Sequence, residues 1–466
     1  MEARDTEAAQ AELAAKNKMG VMPVGKLLVN MSVPMMLSML VQALYNVVDS
    51  IFVARISEDA LAAVGLVFPV QTLMAAVAVG TGIGVNSLLS RRLGEKNVEG
   101  ASKAATNGLF LALMNWAVFA LVGLFGAGLY MTAFTGGKGE IHAMGETYML
   151  ICTVGSLGIF MQIMMERLLQ STGRATLSMT SQMVGAIINI ILDPIMIFGL
   201  VGFPAMGVAG AALATVIGQW CGMLVGIWFN FAKNKEITLK LRGFRPSGKT
   251  IQHIYRVGLP SIVMQSIGSV MSFSLNKILV GFGTPPVSVF NIYFKLQSFI
   301  FMPVFGLNSG LIAITAFNYG AQNRRRIERV VRLSVMAAVT IMTVGTVIFW
   351  TLPEALLSLF DAGEEMMSIG VSALRIISLC FPLAGVSIAL SGVFQGMGQG
   401  SYSLWMSVIR QLLFLIPLAW VLARLFGLPA LWAAFPIAEV AGIVVAVVLY
   451  RRLRAGKIAP LPDGAP

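Results

Sequence analysis

Twelve stretches, each long and apolar enough to cross a bilayer, run through this 466-residue chain and leave little room for any other architecture. A helix needs roughly 20 mainly apolar residues to span the hydrocarbon core. The stretches fall near 27–51, 60–86, 104–131, 147–169, 176–200, 206–231, 251–281, 287–316, 331–352, 366–394, 402–425 and 428–450. Strands of a membrane barrel would be about half as long and would alternate strictly. Runs such as 187–192 and 441–449 do not alternate. The fold class read from this is an all-α membrane protein with twelve transmembrane helices. Composition agrees, since 57% of residues are hydrophobic and 12% charged. A soluble domain carries roughly twice that charged fraction.

The net charge of +12 would also fit a nucleic-acid binder. Here the basic residues sit in short loops between apolar runs, so the expected partner is the membrane lipid surface and not nucleic acid. Of the 33 Lys and Arg, 26 fall in one set of loops and the two tails, including Arg91, Arg92, Arg167, Arg174 and the 324–332 cluster. The opposite loops hold Arg55, Lys138 and Arg424. Both termini and the linker are therefore expected on the cytoplasmic face of the plasma (inner) membrane. The N-terminus is polar and shows no cleavable leader, so the first span is expected to target the chain. Cys152, Cys221 and Cys380 lie inside apolar runs and read as buried thiols.

The two halves read as a parallel repeat. An offset of 226 pairs Pro34 with Pro260, Phe68 with Phe294, Gln71 with Gln297 and Gly80 with Gly306. It also pairs Gly84 with Gly310, Gly94 with Gly320 and Asn97 with Asn323. At offset 225, Gln170, Gly173 and Ser178 match Gln395, Gly398 and Ser403. The division expected is a tail to residue 26, an N-lobe over 27–231, a linker over 232–250, a C-lobe over 251–450 and a tail from 451. Six spans per lobe give both lobes one orientation, related by a pseudo-two-fold axis along the membrane normal, with the substrate site between them.

Ionisable groups inside a membrane are costly and mark function. Asp49 lies in the outer part of the first span, with Asn46 and Gln42 on the same helix face. Asp193 lies in the outer part of the fifth span, one turn beyond Asn189 and just before Pro194, whose ring disturbs the helix. Asp49, Asn189 and Asp193 form a candidate proton or Na⁺ site, with Asn46 and Asn189 one turn inward as neutral oxygen donors. The bland alternative is that each aspartate is separately hydrated near the boundary. At the same offsets the second half has Leu275 and Leu418, which bind no cation. Lys277 and Lys295 sit in spans seven and eight and either snorkel or line the cavity. Arg375 and Arg410 read as packing or boundary residues, and Glu439 as a lone carboxylate. Met161 and Met164 offer flexible thioethers suited to a permissive cavity or to ordinary packing.

No phosphate-binding loop is present in the sequence, and His142 and His253 fall near loops, so neither ATP drive nor a histidine metal site is indicated. An ion gradient remains as the energy source. The stretch Tyr45-Asn46-Val47-Val48-Asp49-Ser50-Ile51-Phe52-Val53 followed by Ala60-Leu61-Ala62-Ala63-Val64-Gly65-Leu66 resembles the first two helices of multidrug and toxic compound extrusion transporters. Asn189-Ile190-Ile191-Leu192-Asp193-Pro194 is similar to their fifth helix, and Gly207-Val208-Ala209-Gly210-Ala211-Ala212-Leu213-Ala214-Thr215 to their sixth. Leu168-Leu169-Gln170-Ser171-Thr172-Gly173-Arg174 resembles their fourth-to-fifth loop.

The resemblance implies two six-helix lobes and efflux of organic, mostly cationic, compounds against inward H⁺ or Na⁺, with no other cofactor. It implies that Asp49, Asn189, Asp193 and Thr215 form the ion site in the N-lobe. Spans seven, eight and ten carry Lys277, Lys295 and Arg375 where another branch of the family has acids, which argues against a cation site in the second half. A lipid or oligosaccharide flippase of the same superfamily is the alternative, with extra helices and a strongly cationic cavity expected. A channel or membrane-embedded enzyme is a further alternative, but no polar catalytic cluster appears at one depth. Two lobes on one chain are expected to work as a monomer.

The charge asymmetry makes a direct prediction. A single cysteine placed in the 233–249 loop should react with an impermeant maleimide only after the cells are permeabilised. Labelling from outside intact cells would invert the topology.

Overall fold

The computed structural model describes residues 17–239, 243–360 and 362–463. The first tail residues up to Lys16, and Lys240 and Arg242 of the linker, lie outside the described residues. Among the described residues every regular element is helical. A short helix α1 (Lys18–Val21) precedes α2 (Val24–Ala54), α3 (Glu58–Gly94), α4 (Val98–Thr135), α5 (Glu140–Val154), α6 (Leu157–Ser171), α7 (Ala175–Phe198) and α8 (Val208–Lys233). The second half comprises α9 (Gly248–Leu279), α10 (Thr284–Gly320), α11 (Arg324–Thr351), α12 (Pro353–Ser358), α13 (Glu364–Ser378) and α14 (Phe381–Gly396). It ends with α15 (Gly400–Ser407), a π-helical stretch (Val408–Leu415), α16 (Ile416–Phe426), α17 (Leu428–Trp432), α18 (Ala434–Leu453) and a short π-helical turn (Arg454–Ile458).

Among the described residues ten spans are long and apolar enough to cross a membrane unaided, and two bent pairs bring the number to twelve. The bent pairs are the fourth span, α5 with α6 at 40°, and the tenth, α13 with α14 at 47°. Both breaks free backbone carbonyls, which must find donors inside a bilayer. Trp220 and Trp116 supply them in the first half, their indole N–H groups donating to Gly155 O at 3.0 Å and Val154 O at 2.9 Å. Trp350 does the same in the second half, donating to Arg375 O at 2.8 Å, and Thr346 covers Ser378 O at 2.9 Å. The outward surface is apolar, as a lipid-facing surface must be, with Phe125 81% and Leu129 76% exposed.

The repeat is legible in local chemistry. Asn97 caps α4 by accepting from Gly100 N at 2.7 Å, and its partner Asn323 caps α11 by accepting from Arg326 N at 3.1 Å. The residues just before them, Lys96 and Gln322, both hold left-handed backbone, at φ 58° and 54°. Asparagine at the cap and a left-handed residue before it thus build the same tight turn twice.

The matched glycines mark where the halves meet. The second span, α3, packs on the seventh, α9, and the eighth, α10, packs on the first, α2. A Cβ at Gly80 would sit 2.8 Å from Ile262 N, and one at its partner Gly306 would sit 2.6 Å from Met36 N. Gly84 faces Ile254 O, and its partner Gly310 faces Ser32. Gly94 and Gly320 lie where α3 crosses α10, each pressed against a backbone carbonyl of the other helix, Phe317 O and Arg91 O. Small residues let helix backbones approach this closely in lipid.

The described ends of the chain share one face of the bundle. Asn17 donates to Thr172 O at 3.0 Å, while Arg326 donates to Met19 O at 3.0 Å and Met22 O at 2.7 Å. Asp463 pairs with Arg325 at 3.2 Å, and Arg454 with Glu328 at 2.9 Å. Arg167, expected in a loop, instead lies inside α6 and is buried, because the helix continues to Ser171. Its guanidinium donates to Gln170 at 2.8 Å and to Ser309 of the other half at 3.2 Å.

Gly94→Ala and Gly320→Ala should each destabilise the protein by about 1–3 kcal/mol, because the added methyl has only backbone to displace. Gly65→Ala, with nothing within 4 Å of its new methyl, should leave the midpoint of thermal unfolding in detergent unchanged or raised.

Candidate functional site

Helices α7 and α8 are pressed together by two facing glycines. A Cβ at Gly185 would sit 2.9 Å from Gly218 O, and one at Gly218 would sit 2.7 Å from Gly185 O. That contact sets Asn189, one turn beyond Gly185, beside Thr215 on α8. Asn189 Nδ2 donates to Thr215 Oγ1 at 3.3 Å and to Asp193 Oδ1 at 3.4 Å. Helix α2 packs on α7 from the other side and brings Asp49 against Asp193, so that the two carboxyl groups meet. Asp193 and Asn189 are buried.

This cluster has more acceptors than donors. Asp49 Oδ1, Asp193 Oδ2 and Asn189 Oδ1 are buried without a hydrogen-bond partner. Buried acceptors in that state are costly. Two carboxylates in contact repel each other unless something positive lies between them. An all-oxygen donor set fits a proton or a hard cation such as Na⁺ and does not fit a soft metal. Among the described residues no group of three His, Cys, Asp or Glu side chains is placed to hold a metal ion.

A cavity of about 130 Å³ lies beside this cluster, on its side toward the 172–174 turn and within the first half. Asn189 and Thr215 form one end of it, and Gln42, Tyr45, Gln182 and Gln219 line its walls. Gln182 ties α7 to α2 by donating to Gln42 Oε1 at 2.7 Å and by a hydrogen bond with Ser38. At the opposite end stand Glu166 and Arg167 of α6.

Of the expected residues, the structure brings Gln42, Asp49, Asn189, Asp193 and Thr215 into this neighbourhood. It places Asn46 elsewhere, exposed on α2, because the neighbouring Tyr45 is the residue turned to the cavity. Met164 is core, packed against Gly108, and Met161 is partly buried against the same core. Neither lines the cavity. Lys277 and Lys295 are exposed on α9 and α10 and also lie outside it. Glu439 is not a lone carboxylate, since Arg410 of the π-helical stretch pairs with it at 3.0 Å. Leu275 is buried core in the second half.

Sequence reasoning missed Glu166, Tyr45, Gln162 and Gln182. A signal for Glu166 existed, since an acid four residues after Gln162 inside an apolar span has no basic residue on its own helix face. Reading Arg167 as a loop residue hid it.

A membrane-spanning, two-fold repeated helical bundle with a carboxylate pair beside an internal cavity is the architecture of a secondary transporter. The MatE family profile matches twice, over residues 34–195 and 260–421, and the chain belongs to that family. The two matches are displaced by 226 residues at both ends, the offset found from the repeated prolines and glycines. Among similar proteins, the multidrug export protein MepA of Staphylococcus saprophyticus is 26% identical over 92% of this chain and 94% of its own. MepA of Staphylococcus aureus is 24% identical over 93% and 94%. The fold superposes on an outward-facing multidrug resistance MATE family transporter of the MOP superfamily with a TM-score of 0.89 at 29% identity, covering 95% of this chain and 98% of that one. A MOP superfamily transporter from Pyrococcus furiosus, described as having a binding pocket of reversed polarity, superposes at 0.88 with 28% identity and the same coverage.

The second half carries an ion pair where the first carries cavity groups. Glu439→Gln should cost about 3 kcal/mol, because it leaves Arg410 buried beside a neutral partner. Replacing both residues by Leu and Met should recover most of the loss in thermal unfolding, showing the pair to be structural.

Proposed function

We propose that this protein is a cation-coupled antiporter that exports organic, mostly cationic, compounds in exchange for inward H⁺ or Na⁺. The observation that carries this reading is the Asp49–Asp193 contact, with three unpartnered buried acceptors, joined through Asn189 and Thr215 to a cavity lined by neutral polar and apolar side chains. Binding a proton or Na⁺ there relieves the repulsion between α2 and α7. Those helices also form walls of the cavity, so neutralising the pair alters the cavity that holds the cargo. Alternating access then follows from movement of 27–231 against 251–450 as two lobes in a monomer, with both chain ends and the linker in the cytoplasm. The charge bias of the loops supports that orientation. Multidrug export by the MepA relatives supports the cargo class. A flippase for lipid phosphates needs a basic cavity. The guanidinium that lines this one, Arg167, is held by Gln170 and Ser309 and is accompanied by a carboxylate.

Reconstituted protein should drive ethidium flux under one imposed ion gradient, H⁺ or Na⁺, applied separately. Asp193→Asn should reduce that flux to background while the protein remains folded, since the amide keeps the shape and removes the charge. Asp49→Asn should do the same, and the double variant should lose no more ion binding than either single one. Wild-type flux in Asp193→Asn, or independent and additive losses of ion binding, would sink the shared-site reading.

A further inference from the structure

Glu166 has no part in the coupling cluster, and its surroundings are unusual for a carboxylate in a membrane span. It is 6% exposed and lines the end of the cavity remote from Asp193. Helices α6 and α7 run antiparallel on either side of the turn at 172–174. Glu166 precedes that turn by six residues and Asp193 follows it by nineteen. The difference in depth is roughly 20 Å at 1.5 Å per residue. The two acidic positions are therefore separate, Glu166 lining the cavity and Asp193 lying beyond its Asn189 end.

A carboxylate offers about four acceptor positions. One partner of Glu166 is Gln162, whose Nε2 donates at 3.0 Å. Gln162 itself is held between α7 and α8, since a Cβ at Gly185 or Gly222 would sit 3.3 Å or 2.6 Å from that same nitrogen. Arg167 is adjacent in sequence but turns away. Its side chain crosses Gly82 of α3, and its guanidinium goes to Gln170 and Ser309. Among the described residues no Lys, Arg or His nitrogen lies within ion-pair distance of Glu166. The groups that α2, α3, α7 and α8 present to the cavity are neutral side chains, and Met39 of α2, Val79 of α3 and Ile159 and Ile163 of α6 form its apolar wall.

We propose that Glu166 anchors the cationic centre of the transported compound, a monovalent organic cation whose apolar body lies along the wall made by Met39, Val79, Ile159 and Ile163. The inference rests on the export reading above and adds to it a cargo station distinct from the ion station. Na⁺ does not suit Glu166, because the neighbouring Gln162 presents its N–H group and not its oxygen. A bulky cation needs a carboxylate without a basic partner and an apolar surface, and both are present here. Cargo then binds in the cavity and the coupling ion beyond its far end, and the two communicate through α7, whose Gln182, Gly185, Ala186 and Asn189 line the space between.

Ethidium is the probe. In proteoliposomes Glu166→Gln should raise its KM by about tenfold or more, the loss expected for one charged contact, while the maximal gradient-driven rate persists. Glu166→Asp should fall between the two. An unchanged KM, or a lowered maximal rate at unchanged KM, overturns the cargo station and leaves antiport by the wild type standing. Absence of ethidium flux in the wild type under either gradient overturns the export reading and this inference with it. A measurement without a variant guards against misfolding. Saturating ethidium should slow the reaction of Glu166 with dicyclohexylcarbodiimide in wild-type protein, read by peptide mass spectrometry. Equal labelling with and without ethidium overturns the proposal.

Discussion

The close backbone contact of α3 with α9 and of α10 with α2 is the constraint on which the molecule depends. Lipid tails are as apolar as leucine, so burying apolar side chains does not drive helices together in a bilayer. Dispersion between closely packed backbones must do it, and only residues without a Cβ allow the approach. Gly80, Gly84, Gly306 and Gly310 supply this along the two lateral contacts, and Gly94 with Gly320 at the central crossing. Because each glycine has its counterpart 226 residues on, the junction is nearly symmetric. A symmetric junction of smooth glycine faces can pivot without disengaging large side chains.

The site departs from that symmetry. In the first half the fold leaves buried acceptors uncompensated at Asp49, Asn189 and Asp193 and a nearly unpaired carboxylate at Glu166. In the second half Leu275 stands where Asp49 does, and the remaining buried carboxylate, Glu439, is neutralised by Arg410. Among the described residues, the buried carboxylates left without a basic partner thus lie in one half, while the second half holds its unpartnered polar atoms on neutral groups such as Asn276, Asn308 and Gln395 and on Arg410.

Much of this was legible in the sequence, for physical reasons. Span positions follow from hydropathy, because the bilayer fixes helix length. The repeat was readable because it is carried by Pro, Gly and Asn, residues with strict backbone roles at kinks, crossings and caps. Asp49 and Asp193 stood out since charges are rare at such depth. Side-chain direction was less accessible. Asn46 shares a nominal face with Asp49, yet Tyr45 is the residue turned inward, because α2 is rotated by its packing on α7 and α10. Glu166 was obscured by Arg167, whose burial depends on a partner, Ser309, that lies 142 residues away. The pairing of Arg410 with Glu439 likewise needs the π-helical stretch at Val408–Leu415, which no periodicity announces.

The tryptophans at the two broken spans have a consequence for how motion in this protein can be observed. Trp220 and Trp350 are 40% and 48% exposed on the outer surface while their indole N–H groups are committed to carbonyls freed by the bends at 155 and 375–379. If either span straightens, its carbonyl returns to its own helix and the indole loses its acceptor in an apolar medium. Indole emission responds to that loss. The protein therefore carries intrinsic optical reporters at the hinge of each bent span, Trp116 and Trp220 on the first half and Trp350 on the second, needing no attached dye.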